Sequence, residues 1–469
     1  MPDTEPANRT ALYDQLNLNY YYQNIIIGGR LEYFYTANQD IEYTKLQQKY
    51  IQYQNDHLEI KLGNFYEILG QGLVLRTYEI PGVIYEEAGS RQQYAFYKDI
   101  EGALIKYYTS WLNLKVLYGY PLDLLQPPLR DRNIRRPNLV QGGELNFTLL
   151  NYFSPGVIYL RSNNNNGNAN EYSGFNFAGN IGIGLQYYLE YVVNAADQDA
   201  YFKAGSSGRH ALYGSISQTF NQASFSFEIK DYHDFTLNFN DPPTLVREHA
   251  RTLLNRGTHI IQPLDERGYQ FEAILNIGGL NTITANHAYT ENDFNDNIRI
   301  FREYYLGLEY YITKRTLTKF FIDRADDPIV NIHKRWTGGA LVDQQLSGRW
   351  STILDIQAQR FKRIYNAGSS FDHTAYNYLA DFAVSYSPNI SAGINIEAAH
   401  DPLESDTLFE LNKTDYQYWI GWTINYQYSQ DHTLALFYGK RRGGNACSGG
   451  ICYEVQPFEG FELKLNSIL

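Results

Sequence analysis

Long apolar runs are missing from this 469-residue sequence, and their absence excludes a membrane-spanning helix. Such a helix needs about 18 or more apolar residues in a row, whereas hydrophobic residues make up 43% of the chain and mean hydropathy is −0.44. A transmembrane β-strand needs only about 9–11 alternating residues and escapes a hydropathy scan. A β-barrel therefore remains a possible route into a membrane.

Basic charge and catalytic motifs are also scarce. The net charge is −12, and no basic stripe with interleaved aromatic residues is present, so nucleic acid is not an expected partner. The nucleophile-elbow, phosphate-loop and His-Glu-x-x-His motifs are absent. Glu248-His249 with His259 matches no metal-binding spacing. We therefore predict no enzyme, no cofactor and no metal site.

Only two cysteines occur, Cys447 and Cys452, in the loop Cys-Ser-Gly-Gly-Ile-Cys. A single Cys-x4-Cys pair without further cysteines or paired histidines is weak evidence for a metal site. A disulfide fits better than two free thiols if this loop lies outside the cell, where thiols oxidise.

Alternation of apolar and polar residues is what the chain has in abundance. Leu58, Ile60 and Leu62 are separated by Glu59 and Lys61, so one face of the strand is apolar and the other polar. The pattern recurs in about 23 segments, for example residues 112–116, 354–358 and 461–465. A soluble sandwich could bury the apolar face, but so many repeats favour a barrel whose apolar face meets lipid. The 43 tyrosines, although good strand formers, also suit a membrane boundary.

Short and long connections alternate between these segments, as they do in outer-membrane barrels with short periplasmic turns and long extracellular loops. We predict an all-β fold, a large antiparallel transmembrane β-barrel of about 24 strands. This chain would supply about 23 of them, with one strand missing before residue 12. The predicted layout is one domain over 1–469, an N-terminal stub over 1–11 and a short loop helix over 241–257.

Charged residues on the polar faces are the first candidate site. Arg30 and Glu32 share one face of their strand, and Glu59 and Lys61 share one face of another. These charges could pair across strands or line a water-filled lumen and set its selectivity.

A barrel of about 24 strands encloses a lumen that strand side chains cannot fill, so we expect infolded loops to narrow it. Each candidate loop is equally compatible with a position on the outer surface. The candidates are Arg76, which follows Gly70 and Gly72, the loop arginines Arg130, Arg132, Arg135 and Arg136, and the predicted helix.

Four runs of residues, 63–79, 240–249, 254–259 and 447–463, together resemble uncharacterised Bacteroidota-type outer-membrane β-barrel proteins, a porin-like family. The resemblance covers nearly the whole chain and implies a barrel in the bacterial outer membrane. Such proteins usually carry a leader and a preceding strand, so we expect a truncated start. The final Ile468-Leu469 also departs from the aromatic end that is common in barrels.

The function we predict is a passive porin-like channel in outer-membrane lipid that passes small polar solutes. The alternative is a barrel that scaffolds surface lipoproteins or secretion components through its extracellular loops.

Overall fold

A computed structural model gives the structure, which consists almost entirely of β-strands. It describes residues 10–87, 91–122, 138–150, 152–163, 169–182, 184–195, 208–237, 239–260, 265–294, 297–367, 369–401 and 416–468. No helix among these residues has the length and apolar content to cross a membrane.

The strands, in chain order, are β1 Ala11–Tyr22, β2 Ile25–Thr36, β3 Tyr43–Gln54, β4 Leu58–Phe65, β5 Tyr78–Glu86, β6 Gln93–Lys98, β7 Ile100–Tyr108, β8 Leu112–Pro121, β9 Leu139–Phe147, β10 Ser154–Asn163, β11 Ala169–Ile181, β12 Leu185–Asn194, β13 His210–Thr219, β14 Ala223–His233, β15 Asp265–Gly278, β16 Asn281–Phe294, β17 Asn297–Thr313, β18 Thr316–Asp327, β19 Ile332–Ser347, β20 Trp350–Ala367, β21 Ser369–Tyr386, β22 Ile390–His400, β23 Gln417–Gln427, β24 His432–Arg441, β25 Gly444–Ser448, β26 Ile451–Val455 and β27 Phe458–Ser467.

Within the described residues, twenty-three of these strands form one sheet, while β5–β6 and β25–β26 form separate two-stranded hairpins. The all-β class and the expected number of about 23 strands in this chain are confirmed. A twenty-fourth strand stays a prediction.

The chain divides into two compact units. Unit 1 comprises Met1–Ser217, Glu228–Thr244 and Ile261–Arg267, and unit 2 comprises Gln218–Phe227, Leu245–Ile260 and Gly268–Leu469. Within unit 1, β1 to β4 and β7 to β10 pair with their antiparallel neighbours. Within unit 2, the same neighbour pairing runs from β16 to β24 and ends with β24 against β27.

The two faces of the sheet have the burial pattern opposite to that of a soluble protein. On β2, Ile27 and Leu31 are 50% and 40% exposed, whereas Arg30 and Glu32 on the other face are 7% and 0% exposed. Soluble domains bury apolar residues and expose charged ones. We call the two sides the apolar face and the polar face, and the faces predicted for this strand are confirmed.

Two predicted elements are wrong in extent. The alternating pattern over residues 57–66 and 72–79 predicts one continuous strand, but β4 ends at Phe65. The helix predicted over 241–257 is present only as α1, Thr252–Arg256. Pro242 and Pro243 lack backbone N–H donors. Between them and α1, alternate side chains of residues 247–251 bind carboxylates on three different strands. These three contacts, two of which are arginine–carboxylate ion pairs, override the local helix preference.

Candidate functional site

A chain of alternating charges runs across the polar face of unit 1. Lys106 Nζ lies 3.4 Å from Glu59 and 2.7 Å from Glu67, and Lys115 Nζ lies 3.2 Å from Glu67 and 3.4 Å from Glu144. Each buried carboxylate thus has a cation beside it, which offsets the cost of removing it from water. This network surrounds a segment of chain that folds back onto the sheet.

That segment is residues 66–77, between β4 and β5, which we call the first cover segment. Leu69, Leu73, Val74 and Leu75 are fully buried in it. Burial of such a side chain contributes about 1.5–3 kcal/mol, so apolar packing is the main attachment of this segment. The residues that complete this apolar cluster on the polar face are Phe65, Ile100, Leu104, Leu117, Val140, Ile158, Leu160, Tyr172, Val192, Ala211, Tyr232, Phe235, Leu237 and Phe239.

The turn of the first cover segment requires glycine at position 70. Gly70 has φ +57°, a left-handed conformation that costs other residues free energy. Its N–H donates to Glu144 at 3.1 Å, and the N–H of Gln71 donates to Glu190 at 2.6 Å. An added Cβ at Gly70 would lie 2.2 Å from Glu190 Oε2. The two carboxylates therefore hold the turn at a fixed place on the polar face.

Asn240 fastens the other half of the segment. Its Oδ1 accepts the N–H of Arg76 at 2.6 Å, and its Nδ2 donates to the carbonyls of Gly72 and Leu73, both at 2.9 Å. This amide therefore satisfies three backbone groups in a turn that forms no regular ladder.

Next to Asn240, Tyr78 donates its hydroxyl to Asp241 at 2.7 Å. Burial, together with the charge of Asp241, raises the pKa of Tyr78. The phenol therefore keeps its proton and remains a donor, so the contact persists at any ordinary pH.

Residues 245–260 of unit 2, the second cover segment, lie on the polar face in a different way. Their arginines bind strand carboxylates: Arg247 with Glu272 on β15, Arg251 with Asp355 on β20, and Arg256 with Glu397 on β22. The last pair is bidentate, and its second bond is 2.9 Å long. Bidentate arginine pairs fix orientation as well as position.

Strand amides bind the backbone of α1. Gln357 Oε1 accepts the N–H of Leu253 at 3.1 Å, and Gln359 Nε2 donates to the Leu253 carbonyl at 3.2 Å. Leu253 and Leu254 are 1% and 0% exposed. The helix is thus tied to β20 through both backbone and side chains.

Arg335 on β19 is the centre of a buried charge cluster. Its guanidinium donates to Glu303 at 2.9 Å, to Asp323 at 3.2 Å and to the carbonyl of Gly257 at 2.5 Å. His249 Nε2 lies 3.3 Å from Glu303. One cation therefore joins two strand carboxylates to the second cover segment.

The hairpin β25–β26 binds the same segment. Cys447 donates its N–H to Asn255 Oδ1 at 2.8 Å, and Asn255 Nδ2 donates to the Cys447 carbonyl at 3.0 Å. The N–H of Gly450 donates to Glu248. A disulfide joins Cys447 to Cys452 across the turn of this hairpin.

The predicted lumen residues have different kinds of partner in the structure. Arg30 donates to Glu79 at 2.6 Å. Glu79 belongs to hairpin β5–β6 and not to a neighbouring strand of the sheet. Tyr43 donates to Glu32 at 3.4 Å. Lys61 Nζ lies 3.9 Å from the centre of the Tyr50 ring.

Of the predicted constriction residues, Arg76 lies at the end of the first cover segment and is half-buried. The segment predicted around Gly70 and Gly72 lies on the polar face and not on the outer surface. The loop arginines Arg130, Arg132, Arg135 and Arg136 lie outside the described residues.

Several site residues were missed at the sequence level. Glu144 and Glu190 are each the single charge of an otherwise uncharged strand, which is a usable signal. Glu303 and Arg335 lie in strands with several other charged residues, so that signal does not mark them. Asn240 carries no such signal, because nothing local distinguishes it from any loop asparagine. Among the described residues, no three His, Cys, Asp or Glu side chains are arranged to hold a metal ion.

Comparison with solved structures supports the fold class. The P pilus usher (PapC) translocation pore is 8% identical, with 98% of this chain and 96% of that chain covered and a TM-score of 0.50. Pseudomonas aeruginosa OccK5 (OpdH) is 14% identical over 75% of this chain and 91% of that chain, TM-score 0.37. The ferric-catecholate import receptor Fiu from E. coli K12, open form, is 11% identical over 98% and 80%, TM-score 0.40. The last two scores are too low to carry an argument.

The chain has the fold of a large antiparallel β-barrel. The 23-stranded sheet and the structural likeness to PapC both support this fold class. Residues 2–338 and 362–469 match DUF6029, described as a family of unknown function, and the chain belongs to that family. No curated protein matches the chain.

Proposed function

We propose that this protein is a β-barrel of the bacterial outer membrane that acts as a narrow, porin-like channel for small polar solutes. The observation that carries the proposal is the reversed burial of the sheet. Residues such as Ile420 and Trp422 are 46% and 55% exposed on the apolar face, while Glu303 and Arg335 are 1% exposed on the polar face. A sheet of this kind suits hydrocarbon on one side and water or infolded chain on the other.

The presence of the two cover segments favours a narrow passage and argues against a wide one. Each lies on the polar face of its own unit and is fixed by several bonds, so each reduces the space available to solutes beside its strands. The charged side chains in or beside the first cover segment, including Lys106, Lys115 and Arg76, favour polar solutes and bias selection between ions. Loops that line a pore in this way act as its constriction.

Planar-bilayer conductance tests this proposal. We expect the wild-type protein to give small stepwise currents, because the cover segments occupy part of the polar face. Replacement of residues 68–75 by a Gly-Ser linker of equal length removes the apolar anchors and should give larger steps. A matched control replaces the turn residues 429–431 by Gly-Ser-Gly, and its currents should equal those of the wild type.

Silence of both the wild type and the linker variant, in samples with a folded barrel, would contradict the channel proposal. That result would favour the alternative role, a membrane-anchored scaffold whose loops bind surface lipoproteins or secretion components. Pull-down of stoichiometric partners from cross-linked outer membranes would then identify that role.

Ion selectivity tests the arginines proposed for the constriction. When Arg76 is changed to Gln, the reversal potential in a salt gradient should shift in the direction of greater cation selectivity, because a fixed positive charge is lost beside the passage. The same shift is expected for the combined change of Arg130, Arg132, Arg135 and Arg136 to Ala. An unchanged potential for either variant would remove that set of residues from the constriction.

A further inference from the structure

A row of cationic and aromatic side chains crosses the apolar face of unit 2. Strand register places His287, Tyr304, Arg324, Trp336 and Arg360 directly opposite one another on β16 to β20. Tyr304 and Trp336 are 53% and 47% exposed, and both arginines are exposed. Charge at this position on an apolar face calls for an explanation, because arginine is costly in hydrocarbon.

The row lies at one border of the apolar belt. On β20, Trp350 at the short turn and Arg360 are ten positions apart, and Leu354 and Ile356 between them are 39% and 51% exposed. A tilted strand crosses hydrocarbon in about 9–11 residues. If Trp350 marks one water boundary, Arg360 marks the other, where lipid headgroups are found.

Arg302 adds a third arginine to this cationic surface. It lies on β17 two positions before Tyr304 and is exposed on the same face. Its guanidinium carbon lies 5.6 Å from the centre of the Tyr289 ring, and that of Arg324 lies 5.5 Å from the Trp336 ring. Stacking holds each planar guanidinium in place and leaves its N–H donors available.

A groove of about 600 Å³ follows this surface, lined in part by Arg302, Arg324 and Trp336. Its one outward carboxylate, Asp326, already accepts the N–H of Lys334 at 2.6 Å. In the part of the chain that the structure describes, Arg324 and Arg360 form no ion pair with a carboxylate. On the outward surface, Arg302, Arg324 and the neighbouring Arg360 outnumber Asp326, so this surface carries an excess of positive charge beside apolar side chains.

We propose that Arg302, Arg324 and Arg360, the arginine row, bind the phosphate of a lipid headgroup while the acyl chains lie along the apolar belt below. Guanidinium groups bind phosphate in bidentate geometry, and basic pockets beside membrane-spanning elements bind anionic headgroups. This inference rests on the proposed function only in that the apolar face must meet lipid. It does not require an open channel.

Native mass spectrometry of the full chain in neutral detergent tests the arginine row. The probes are dioleoyl phosphatidic acid, which carries a phosphomonoester, and dioleoyl phosphatidylcholine, which has the same chains and no net charge. We expect preferential retention of phosphatidic acid by the wild type. The affinity of the combined variant R302Q, R324Q and R360Q for phosphatidic acid should be lower by about tenfold or more, since each cation near an anionic headgroup contributes to the binding free energy.

A second combined variant is the matched control. K314Q, R315Q and R349Q remove the same charge from exposed turn positions at the other end of the same strands. Arg349 also stacks on a ring, that of Tyr386, at 5.9 Å. This control should retain phosphatidic acid as the wild type does. Equal losses in both combined variants would overturn the proposal, because they would reflect overall charge alone.

Two further experiments are needed. One distinguishes a lipid phosphate from free inorganic phosphate as the ligand, and the other distinguishes the lipid-site proposal from the channel proposal. Displacement of phosphatidic acid by millimolar inorganic phosphate would overturn a lipid site in favour of a free-anion site. Conductance of the R302Q, R324Q and R360Q variant should equal that of the wild type, because these side chains face away from the polar side. A wild type that binds phosphatidic acid but never conducts would contradict the channel and leave the lipid site supported.

Discussion

The first and second cover segments perform the same structural task with different chemistry. The first is attached by four fully buried aliphatic side chains and by amide and carboxylate bonds to its backbone. The second is attached by three arginine–carboxylate pairs and by Arg335, which binds its backbone. Apolar attachment tolerates small shifts because it has no direction. Charge pairs demand a defined geometry and leave costly unpaired ions when one partner is lost.

The largest effect that this comparison predicts comes from Arg335. Its change to Met removes the guanidinium that lies between the buried carboxylates of Glu303 and Asp323, and loss of one partner from a buried ionic cluster costs about 3–5 kcal/mol. Urea unfolding in micelles should show this loss of free energy of unfolding. Arg335→Lys keeps the charge but not the planar fork, so it should lose less. Equal stability of the Met variant and the wild type would show that the cluster is not needed.

Leu73 sharpens the contrast on the first cover segment. Leu73→Ala leaves a cavity in the apolar cluster, and such changes cost about 2–5 kcal/mol. Hydrogen exchange over residues 66–77 should accelerate, while exchange over 245–260 stays unchanged. Ile68 is the matched control, since it belongs to the same segment but is 38% exposed, and Ile68→Ala should have little effect. Faster exchange in both segments would mean that they are not held independently.

Arg256 gives the reciprocal test on the second cover segment. Arg256→Gln breaks the bidentate pair with Glu397, and hydrogen bonds to charged groups contribute about 1.5–3 kcal/mol. Exchange should accelerate in α1 and leave residues 66–77 unaffected. Arg349→Gln, at an exposed turn, is the control and should change neither segment. A response confined to the first segment would contradict this assignment of contacts.

Asn240 gives the smallest expected effect. Asn240→Asp keeps the acceptor for the Arg76 N–H but removes the amide donors to Gly72 and Leu73, which leaves two buried carbonyls unsatisfied. A lost buried partner costs about 1–3 kcal/mol. Exchange of the Gly72 and Leu73 region should rise, by less than in Leu73→Ala. No change in exchange there would indicate that other groups satisfy these carbonyls.

Much of the sheet could be predicted from sequence because its signal is local. Alternation with period two depends only on neighbours such as Leu58, Glu59 and Ile60, and it fixes which face each side chain occupies. The apolar cluster under the first cover segment interrupts this pattern, as at Leu104-Ile105 and Leu117 after Val116. Consecutive apolar residues in such strands indicate that apolar packing also occupies the polar face, since Leu104 and Leu117 are buried there while Ile105 and Val116 stay exposed on the apolar face.

The attachment of the cover segments could not be predicted, because it depends on contacts between distant residues. Asn240 binds Gly72 across 168 positions, and nothing near either residue marks the pairing. The second segment also looked helical by local spacing, since residues 245, 246, 249, 253 and 254 fall on one side of a helix. Bonds from residues 247–251 to separate strands outweighed that preference, so α1 keeps only five residues.

The binding partners of the second cover segment lie far along the chain, and this imposes an order of events during biogenesis. Arg256 must wait for Glu397, 141 residues later, and Asn255 must wait for Cys447, 192 residues later. Arg247 and Arg251 can bind Glu272 and Asp355 on earlier strands, but Arg256 has no carboxylate partner until β22 is in place. The C-terminal end of the second cover segment therefore reaches its final position only when the last strands of unit 2 have folded.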